Sequence, residues 1–296
     1  MPTPLAIVTA ADSAYFRLFQ GLVHSLASAG IQDASLCVID IGLSPAEREW
    51  AVGRAARVED GRWDFDFPGR AERPQSLQGF TCRPYLPRYF PGYETYLWID
   101  ADAWVQDRRA VELFVEAAAD GSIGVVPEID RSYRIHYDMG AARRWLHRAY
   151  RRSFGKEAAD LLWWNPNVNA GVFSLREDSA CWSVWADLLL QALTGVSAEP
   201  DAGDHLWWVD QIALNYGIFT EVVPAQFLPS TANWMCSYAT PLLDDDTGRL
   251  LHPRLPYEVL GIVHLAGRPP KAGPASVATT GGDTVTRWLT FEGGPL

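Results

Sequence analysis

Two aspartates at the end of an apolar segment are the residues of this sequence best suited to hold a metal ion. Asp100 and Asp102 directly follow the apolar run at 96–99 and are separated by one residue. Because side chains alternate along a strand, residues two apart point the same way, and both carboxylates can reach one cation. A carboxylate turn or a helix cap after a strand produces the same spacing, so the pair alone leaves both interpretations open.

The segments before this pair predict parallel strands joined by crossover helices. An apolar run at 5–9 precedes a loop and then apolar residues at helical spacing over 16–26. A second strand is predicted at 35–41, and Ser44 followed by Pro45 begins a second helix. Ligands of such sheets bind beyond the carboxyl ends of the strands, where the aspartate pair is expected.

The α/β pattern continues to the last predicted strand near the C-terminus. Further strands are predicted at 96–99, 122–126, 168–174 and 259–264. Helices are predicted at 81–90, 111–119, 141–154, 181–193 and 210–216, the first containing Pro84 and Pro87. Residues 242–255 indicate a hairpin or an irregular segment with a turn at 246–248.

Composition indicates a globular protein and argues against nucleic acid as its partner. The 296 residues are 48% hydrophobic and 21% charged, and no linker-like segment divides the middle, so we expect one domain with peripheral additions. The formal net charge of -11 opposes binding to a nucleic-acid backbone, which needs clustered Lys and Arg. A diphosphate still suits this chain if a divalent cation supplies positive charge at the site.

The lack of a recognisable targeting signal and the spacing of the cysteines predict a cytoplasmic protein. The apolar N-terminus lacks a basic region and soon reaches Asp12 and Arg17, unlike a signal peptide. No apolar run is long enough to predict a transmembrane segment. The cysteines at 37, 82, 181 and 236 are far apart and predict reduced, mostly buried thiols. The sequence does not indicate an oligomeric state.

Five short segments occur in an order typical of one enzyme family. They are Thr9-Ala10-Ala11-Asp12-Ser13-Ala14-Tyr15, Leu97-Trp98-Ile99-Asp100-Ala101-Asp102, Asn169-Ala170-Gly171-Val172-Phe173, Asp210-Gln211-Ile212-Ala213-Leu214-Asn215 and Val263-His264-Leu265-Ala266-Gly267. Together they resemble family 8 glycosyltransferases, and they cover nearly the whole chain. The resemblance implies a GT-A fold, in which a Rossmann-like, mostly parallel central sheet is flanked by helices. It also implies a nucleotide-sugar donor, UDP-sugar in the best-known members, and retention of anomeric configuration.

The resemblance also implies a domain organisation. Residues 1–266 would form the glycosyltransferase domain, and 267–296 a C-terminal tail that closes on the site. The Arg- and Trp-rich stretch 131–166 has no counterpart in the family pattern, and we expect a helical insertion on the acceptor side. The acceptor itself, whether glycan, lipid-linked or small molecule, is not indicated.

A metal site follows from the same resemblance. Asp100 and Asp102 match the family's metal-binding D-x-D motif, and His264 matches the histidine that completes the site from the last strand. Two carboxylates and one imidazole suit Mn²⁺, and Mg²⁺ is compatible with the same ligands.

Other residues carry over to the donor site by position. Asp12 resembles the position near the nucleobase, Arg83 the arginine that contacts the donor, and Glu128, with Asp130 as a nearby alternative, the carboxylate that contacts the donor sugar. Asn169 and Gly171 match the family's N-A-G-V strand, in which the Asn faces the sugar and the Gly lets backbone and ligand approach closely. Asp210 and Gln211 match the pair beside the anomeric carbon. Neighbouring positions complete the predicted donor site: Thr9, Ala10, Tyr15, Asp100, Ala101, Ala170 and Gly267.

The chain departs from the family pattern after Gly267. The family usually has a Lys soon after that glycine, whereas here Lys271 comes one position late and Arg268 precedes it. Either cation can neutralise the diphosphate, so the sequence leaves this assignment open; Lys271 is the one carried into the predicted donor site.

These residues predict a mechanism in which the acceptor hydroxyl attacks from the face of the leaving group. A β-phosphate oxygen serves as the base, and Gln211 or Asp210 stabilises the oxocarbenium-like centre. Double displacement would instead need a carboxylate nucleophile, for which Asp210 is the candidate. The alternative functions are a binding protein of this fold without turnover and a nucleotidyltransferase. The latter needs a glycine-rich basic loop, which 9–15 lacks.

Overall fold

A computed structural model describes residues 4–134, 139–198, 203–267 and 269–295, with the backbone alone at positions 139, 203, 204 and 269. The strands are β1 Leu5–Ala11, β2 Ala34–Asp40, β3 Arg57–Asp60, β4 Thr95–Ile99, β5 Ala103–Val105, β6 Ile123–Pro127, β7 Val168–Arg176, β8 Ala225–Phe227, β9 Trp234–Met235, β10 Leu242–Leu243, β11 Leu250–Leu251, β12 Ile262–His264, β13 Ala275–Ala278 and β14 Thr284–Arg287. The helices are α1 Phe16–Ser28, α2 Pro45–Val52, α3 Gln78–Thr81, α4 Leu86–Tyr89, α5 Arg108–Ala117, α6 Met139–Phe154, α7 Lys156–Leu162, α8 Cys181–Ser197 and α9 Val209–Phe219.

The central sheet has seven strands in the order β3-β2-β1-β4-β7-β6-β8. Strands β3, β2, β1 and β4 run parallel, whereas β7 runs antiparallel to both β4 and β6. Val8 of β1 lies beside Trp98 of β4, so these two strands end at the same edge of the sheet. The predicted mostly parallel α/β sheet flanked by helices is confirmed, and the aspartate pair emerges at its carboxyl edge.

Local sequence signals explain where the first helices begin. The Ser44 side chain accepts a hydrogen bond from the Glu47 backbone N–H, and the Glu47 carboxylate accepts one from the Ser44 N–H. This reciprocal cap, with Pro45 in the first turn, fixes the start of α2. Helix α1 buries a stripe that includes Phe19 and Leu22 against the sheet. Both predicted helices are confirmed.

The segment predicted as one helix at 81–90 is divided. Helix α3 ends at Thr81, a 3₁₀ turn spans Arg83–Tyr85, and α4 follows. Pro84 and Pro87 lack the N–H groups that a continuous helix would need, which accounts for the break. The break also directs the Arg83 side chain into the protein, where it is 4% exposed.

The C-terminal segment contains strands that the sequence analysis did not predict. Strands β13 and β14 pair as an antiparallel hairpin beyond residue 264. In β13 only Val277 is buried, and its neighbours are small or polar residues. The sequence therefore lacks the alternation of apolar and polar residues that predicts a strand. The predicted hairpin at 242–255 is confirmed by the antiparallel pairing of β10 with β11.

Strand β4 is buried along its whole length and anchors the core. The Trp98 ring stacks on Phe173 of β7 with centroids 6.4 Å apart, and Phe173 meets Trp185 of α8 edge-on at 5.0 Å. Burying a large apolar side chain contributes about 1.5–3 kcal/mol. The strand that leads into the aspartate pair is therefore closely packed on the core.

A small second sheet brings the C-terminal part of the chain to the aspartate pair. Its order is β5-β12-β9, and His264 of β12 lies opposite Ala103 of β5. The backbone N–H of Leu265 donates to the Asp102 carbonyl at 2.9 Å. Asp102 and His264, which are 162 positions apart in the sequence, thus meet at the end of β4.

Helices α6 and α7 form a hairpin within the stretch 131–166. The helix predicted at 141–154 lies inside α6, while residues 135–138 lie outside the described residues. Leu146, Tyr150 and Leu162 pack with Ile212 of α9, and the Phe154 ring stacks on Tyr216 at 4.0 Å. This hairpin is therefore fixed to the helix that carries Asp210 and Gln211.

The cysteines match the expectation of reduced, mostly buried thiols. Cys37, Cys82, Cys181 and Cys236 are buried and free. Burial raises the pKa of the Cys37 thiol to about 11. Within the described ranges, every helix is too short or too polar to traverse a lipid bilayer.

Candidate functional site

A cavity of about 980 Å³ opens at the carboxyl ends of β1 and β4. Most of the residues predicted for the site line it: Ala10, Asp12, Tyr15, Arg83, Asp100, Ala101, Asp102, Glu128, Asn169, Gly171, Asp210, Gln211, His264, Gly267 and Lys271. Thr9 and Ala170 are fully buried in β1 and β7 and do not line it. Ala170 instead donates its backbone N–H to Gln211 Oε1 at 3.1 Å, and so holds a cavity residue in place.

The aspartate pair and His264 converge on one point at the cavity wall. His264 Nε2 lies 3.3 Å from Asp102 Oδ1 and 3.9 Å from Asp100 Oδ2. One ligand atom from each residue lies within 4.8 Å of the others. Two carboxylates and an imidazole are a suitable ligand set for a borderline or hard divalent cation.

Gly171 keeps the space beside this cluster open. A Cβ at position 171 would lie 2.5 Å from Asp100 Oδ2 and 2.5 Å from His264 Cε1. Any larger residue would fill the space toward which the ligand atoms point. The residues present therefore fit a divalent cation held by Asp100, Asp102 and His264.

Asn233 fixes the orientation of His264. The Gly171 N–H donates to Asn169 Oδ1 at 2.9 Å, which identifies that atom as oxygen, and Asn233 Nδ2 donates to the same atom at 3.1 Å. Asn233 Oδ1 must then face His264 Nδ1, 3.1 Å away, and accept a hydrogen bond from its N–H. In the neutral imidazole the lone pair is then on Nε2, which faces the carboxylates.

Asn233 was missed by the sequence analysis. It is fully buried just before β9, and a single Asn before a two-residue strand carries no signal of its own. Only the pairing of β9 with β12 brings it to the histidine.

Arg83 joins the cluster of Asp100, Asp102 and His264 to Asp210, the residue predicted beside the anomeric carbon. Its guanidinium donates to Asp100 Oδ1 at 2.5 Å through Nη2 and to Asp210 Oδ2 through Nη1. Trp98 Nε1 donates to the same Asp100 oxygen at 2.7 Å. Asp100 Oδ1 is thus fully engaged by these donors, and Oδ2 is directed toward His264.

Burial and charge act in opposite directions on this ion pair. Asp210 is 1% exposed, and burial raises the pKa of its carboxyl although the charge of Arg83 opposes the change. Burial disfavours the Arg83 cation, but the carboxylates of Asp100 and Asp210 raise the pKa of its guanidinium. The pair is a buried, mutually dependent unit.

Lys271 reaches the other aspartate from the C-terminal segment. Its ammonium lies 2.5 Å from Asp102 Oδ2 and 5.1 Å from the centre of the Tyr15 ring. Burial acts to raise the pKa of Asp102, but His264 and Lys271 together hold it well below its usual range. Arg268, the other candidate cation, lies outside the described residues.

Glu128 is the centre of a polar network on the opposite side of the cavity. Its carboxylate accepts hydrogen bonds from Asn167 at 2.9 Å, Asn169 at 3.2 Å and the Tyr238 hydroxyl at 2.7 Å. Gln211 Nε2 lies 3.5 Å from the same carboxylate. The side chains of Asn169 and Gln211 are therefore held in fixed positions facing the cavity. Asp130, the alternative to Glu128, accepts from Ser230 and does not line the cavity.

Asp12 and the insertion form the two outer parts of the cavity. Asp12 Oδ1 accepts the Tyr15 N–H at 2.9 Å in the loop after β1. On the other side, the wall consists of Arg143, Trp145 and Leu146 of α6 together with Trp207 and Trp208. The sequence analysis expected the stretch 131–166 on the acceptor side but named none of these five residues as a site residue, because they belong to no recognised motif.

In comparisons with known proteins, no family model matches the chain and no curated protein is similar enough to align with it. Solved structures do match. The galactosyltransferase LgtC in complex with donor and acceptor sugar analogues has a TM-score of 0.53 at 18% identity, over 90% of this chain and 89% of that one. The structure of an active-site mutant of LgtC has a TM-score of 0.50 at 15% identity, over 88% and 87%.

A third solved structure extends the likeness to a larger protein. The apo structure of the bifunctional glycosyltransferase WbbM has a TM-score of 0.53 at 13% identity, over 90% of this chain and 46% of WbbM. At such identities the likeness concerns the fold, and the fold expected from the sequence resemblance is confirmed. The chain has the GT-A fold that these glycosyltransferases share.

Proposed function

We propose that this protein is a metal-dependent glycosyltransferase, related to family 8, that moves a sugar from a nucleotide-sugar donor to an acceptor hydroxyl with retention. The observation that carries the proposal is the convergence of Asp100, Asp102 and His264 at the cavity edge of a GT-A fold. The matching LgtC structure holds analogues of both a donor and an acceptor sugar, and the cavity here has room for two such ligands.

Mn²⁺, or Mg²⁺ in its place, would be held by Asp100, Asp102 and His264. When bound, it supplies positive charge that stabilises the departing nucleoside diphosphate. Lys271 lies beside Asp102, so its ammonium is positioned to neutralise a phosphate at the same place. The segment 267–296 thereby acts as a tail that closes on the site. Trp104 Nε1 supports this assignment, since it donates to the Leu289 carbonyl at 2.8 Å and fastens the tail to β5.

The donor would lie across the ends of β1, β4 and β7. Asp12, Ala10 and Tyr15 line the β1 side and would receive the nucleoside, uridine in our proposal. Ala101 and Gly267 border the diphosphate position. Glu128 and Asn169 would bind hydroxyls of the transferred sugar, because both present fixed polar groups to the cavity.

Gln211 and Asp210 would flank the anomeric carbon in different roles. Gln211 Oε1 is held by the Ala170 N–H, so the side chain is positioned to stabilise positive charge on the sugar. Asp210 is committed to Arg83 and almost fully buried. A carboxylate engaged in this way is a poor nucleophile, which favours attack by the acceptor from the leaving-group face over double displacement through Asp210.

A donor panel tests the proposal. Purified protein is incubated with UDP- and GDP-sugars and Mn²⁺, and release of the nucleoside diphosphate is measured for wild type and Asp102→Asn. We expect hydrolysis of one UDP-sugar that requires Mn²⁺ and is lost in the variant. Donor binding without metal-dependent hydrolysis would instead identify a binding protein that has lost turnover.

A further inference from the structure

Two of the three Lys and Arg residues that line the cavity are paired with carboxylates that also line it. The carboxylates are Asp12, Asp100, Asp102, Glu128 and Asp210, and the Lys and Arg residues are Arg83, Arg143 and Lys271. Arg83 bridges Asp100 and Asp210, and Lys271 pairs with Asp102. Within the described ranges Arg143 has no carboxylate at ion-pair distance, which sets it apart from the other two cavity cations.

Arg143 is instead anchored to backbone carbonyls. Its Nη1 donates to the carbonyls of Trp163 at 2.9 Å and Asn165 at 2.7 Å. These contacts hold the side chain at the end of α7 but leave its charge without a counter-ion. Partial burial lowers the pKa of the guanidinium, with no opposing carboxylate. A cation in such a place is stabilised by an anionic ligand.

The position of Arg143 separates it from the donor diphosphate. The Asp100 N–H donates to the Gly171 carbonyl at 2.8 Å. The cluster of Asp100, Asp102 and His264 therefore lies beside Gly171 of β7. Strand β7 begins at Val168, about 10 Å farther out at roughly 3.3 Å per residue. The carbonyls that anchor Arg143 precede that point. The nucleoside is expected on the β1 side of β4, and Arg143 lies on the β7 side.

Aromatic rings line the same cavity. Trp207 is 39% exposed and meets Phe80 edge-on at 5.6 Å, while Trp145 meets Trp208 edge-on at 5.6 Å. Partly exposed indole rings offer flat apolar surfaces that suit the C–H face of a sugar or an aromatic group. A ligand here would therefore combine a ring with a negative charge.

We propose that Arg143 binds an anionic oxygen group, carboxylate or phosphate, on the acceptor, so that the enzyme selects acidic rather than neutral acceptors. This inference rests on the proposed function, since it concerns the acceptor of that same cavity. It assigns α6 and α7 a role in choosing the substrate, with Trp207 and Trp208 holding the ring that carries the acid.

Two matched ligands test the inference: phenyl β-glucuronide and phenyl β-glucoside, which differ in the carboxylate. Affinity is measured by calorimetry with UDP and Mn²⁺ present. We expect the glucuronide to bind wild type about ten- to a hundredfold more tightly, as a charge-assisted hydrogen bond gives. Arg143→Gln should abolish that preference, and Arg143→Lys should retain part of it. Equal affinities in wild type, or an unchanged preference in Arg143→Gln, would overturn the inference.

The control is Arg144→Gln, which removes the same charge from an exposed neighbour that does not line the cavity. It should keep the wild-type preference. If Arg143 only caps α7, its loss would weaken both ligands equally, and the ratio of the two affinities would not change. Hydrolysis of a UDP-sugar with Mn²⁺ is measured on the same preparations, so a missing glycosyltransferase activity is distinguished from a missing acceptor preference.

Discussion

The Oδ1 atom of Asn233 lies 3.1 Å from Nδ1 of His264 and accepts a hydrogen bond from it. This contact determines which imidazole nitrogen can bind a metal, because in the neutral ring Nδ1 carries the hydrogen and Nε2 the lone pair. The nitrogen that faces the two carboxylates is therefore the one available to a cation.

Replacing Asn233 tests this relationship. We expect Asn233→Ala to lower Mn²⁺ affinity about 10- to 100-fold, the usual effect of removing a group that orients a metal ligand. The measurement is a Mn²⁺ titration followed by electron paramagnetic resonance, with circular dichroism confirming that the variant is folded. Wild-type affinity in a folded variant would show that Asn233 does not orient the histidine.

A methyl group at position 171 should block the metal site. The added Cβ of Gly171→Ala would lie 2.5 Å from both Asp100 Oδ2 and His264 Cε1, so the ligands must move apart. We expect Mn²⁺ binding and donor hydrolysis to be lost. Gly273→Ala is the control, because nothing lies within 4 Å of the Cβ it would add. Normal metal binding by Gly171→Ala would mean that the cation lies elsewhere.

Removing Arg83 should destabilise the fold through its buried partner. Arg83→Met leaves the Asp210 carboxylate without its counter-ion, and breaking a buried ion pair on one side costs about 3–5 kcal/mol. The free energy of unfolding is measured in urea. Adding Asp210→Asn should recover part of the loss, since the unpaired charge is removed. An unchanged free energy in Arg83→Met would contradict the role assigned to this pair.

Asp102 should make stability depend on pH in the acid range. His264 and Lys271 hold the pKa of its carboxyl below the usual value of 3.8, against the effect of burial. The unfolded chain therefore binds a proton more readily than the folded one near and below that value. The stabilisation is present above about pH 4 to 5 and is lost as the pH falls. In metal-free buffer, wild type should lose more stability between pH 5 and 2 than Asp102→Asn. Parallel curves would contradict this.

The thiols should react slowly while the chain is folded. Burial raises the pKa of Cys37 to about 11 and also raises that of Cys181. At pH 8 a thiol reagent should label the native protein slowly and label four thiols after denaturation, since all four cysteines are free. Fewer than four reactive thiols in denaturant would indicate a disulfide.

Local patterns were enough to predict features that depend on neighbouring residues. Asp100 and Asp102 follow a continuous apolar run, and Ser44, Pro45 and Glu47 form a cap that can be recognised from spacing alone. These features depend on neighbours within a few positions, so they are visible in the sequence.

Contacts between distant segments could not be predicted in the same way. Hydrogen bonds connect Asn169 to Asn233 and Asn233 to His264, which lie in three separate segments of the chain. No local pattern around any of these residues predicts its partners. Arg143 became notable only when the structure placed it in a cavity whose other Lys and Arg residues are paired. The roles proposed for Asp12, Gln211 and Lys271 in donor binding remain predictions.

The most direct test of the central claim is a Mn²⁺ titration of wild type and Asp102→Asn in the presence of UDP. A site formed jointly by Asp100, Asp102 and His264 predicts one bound Mn²⁺ per chain in wild type and loss of that binding in the variant. Wild type that binds no Mn²⁺, or a variant that binds it equally well, would contradict the account.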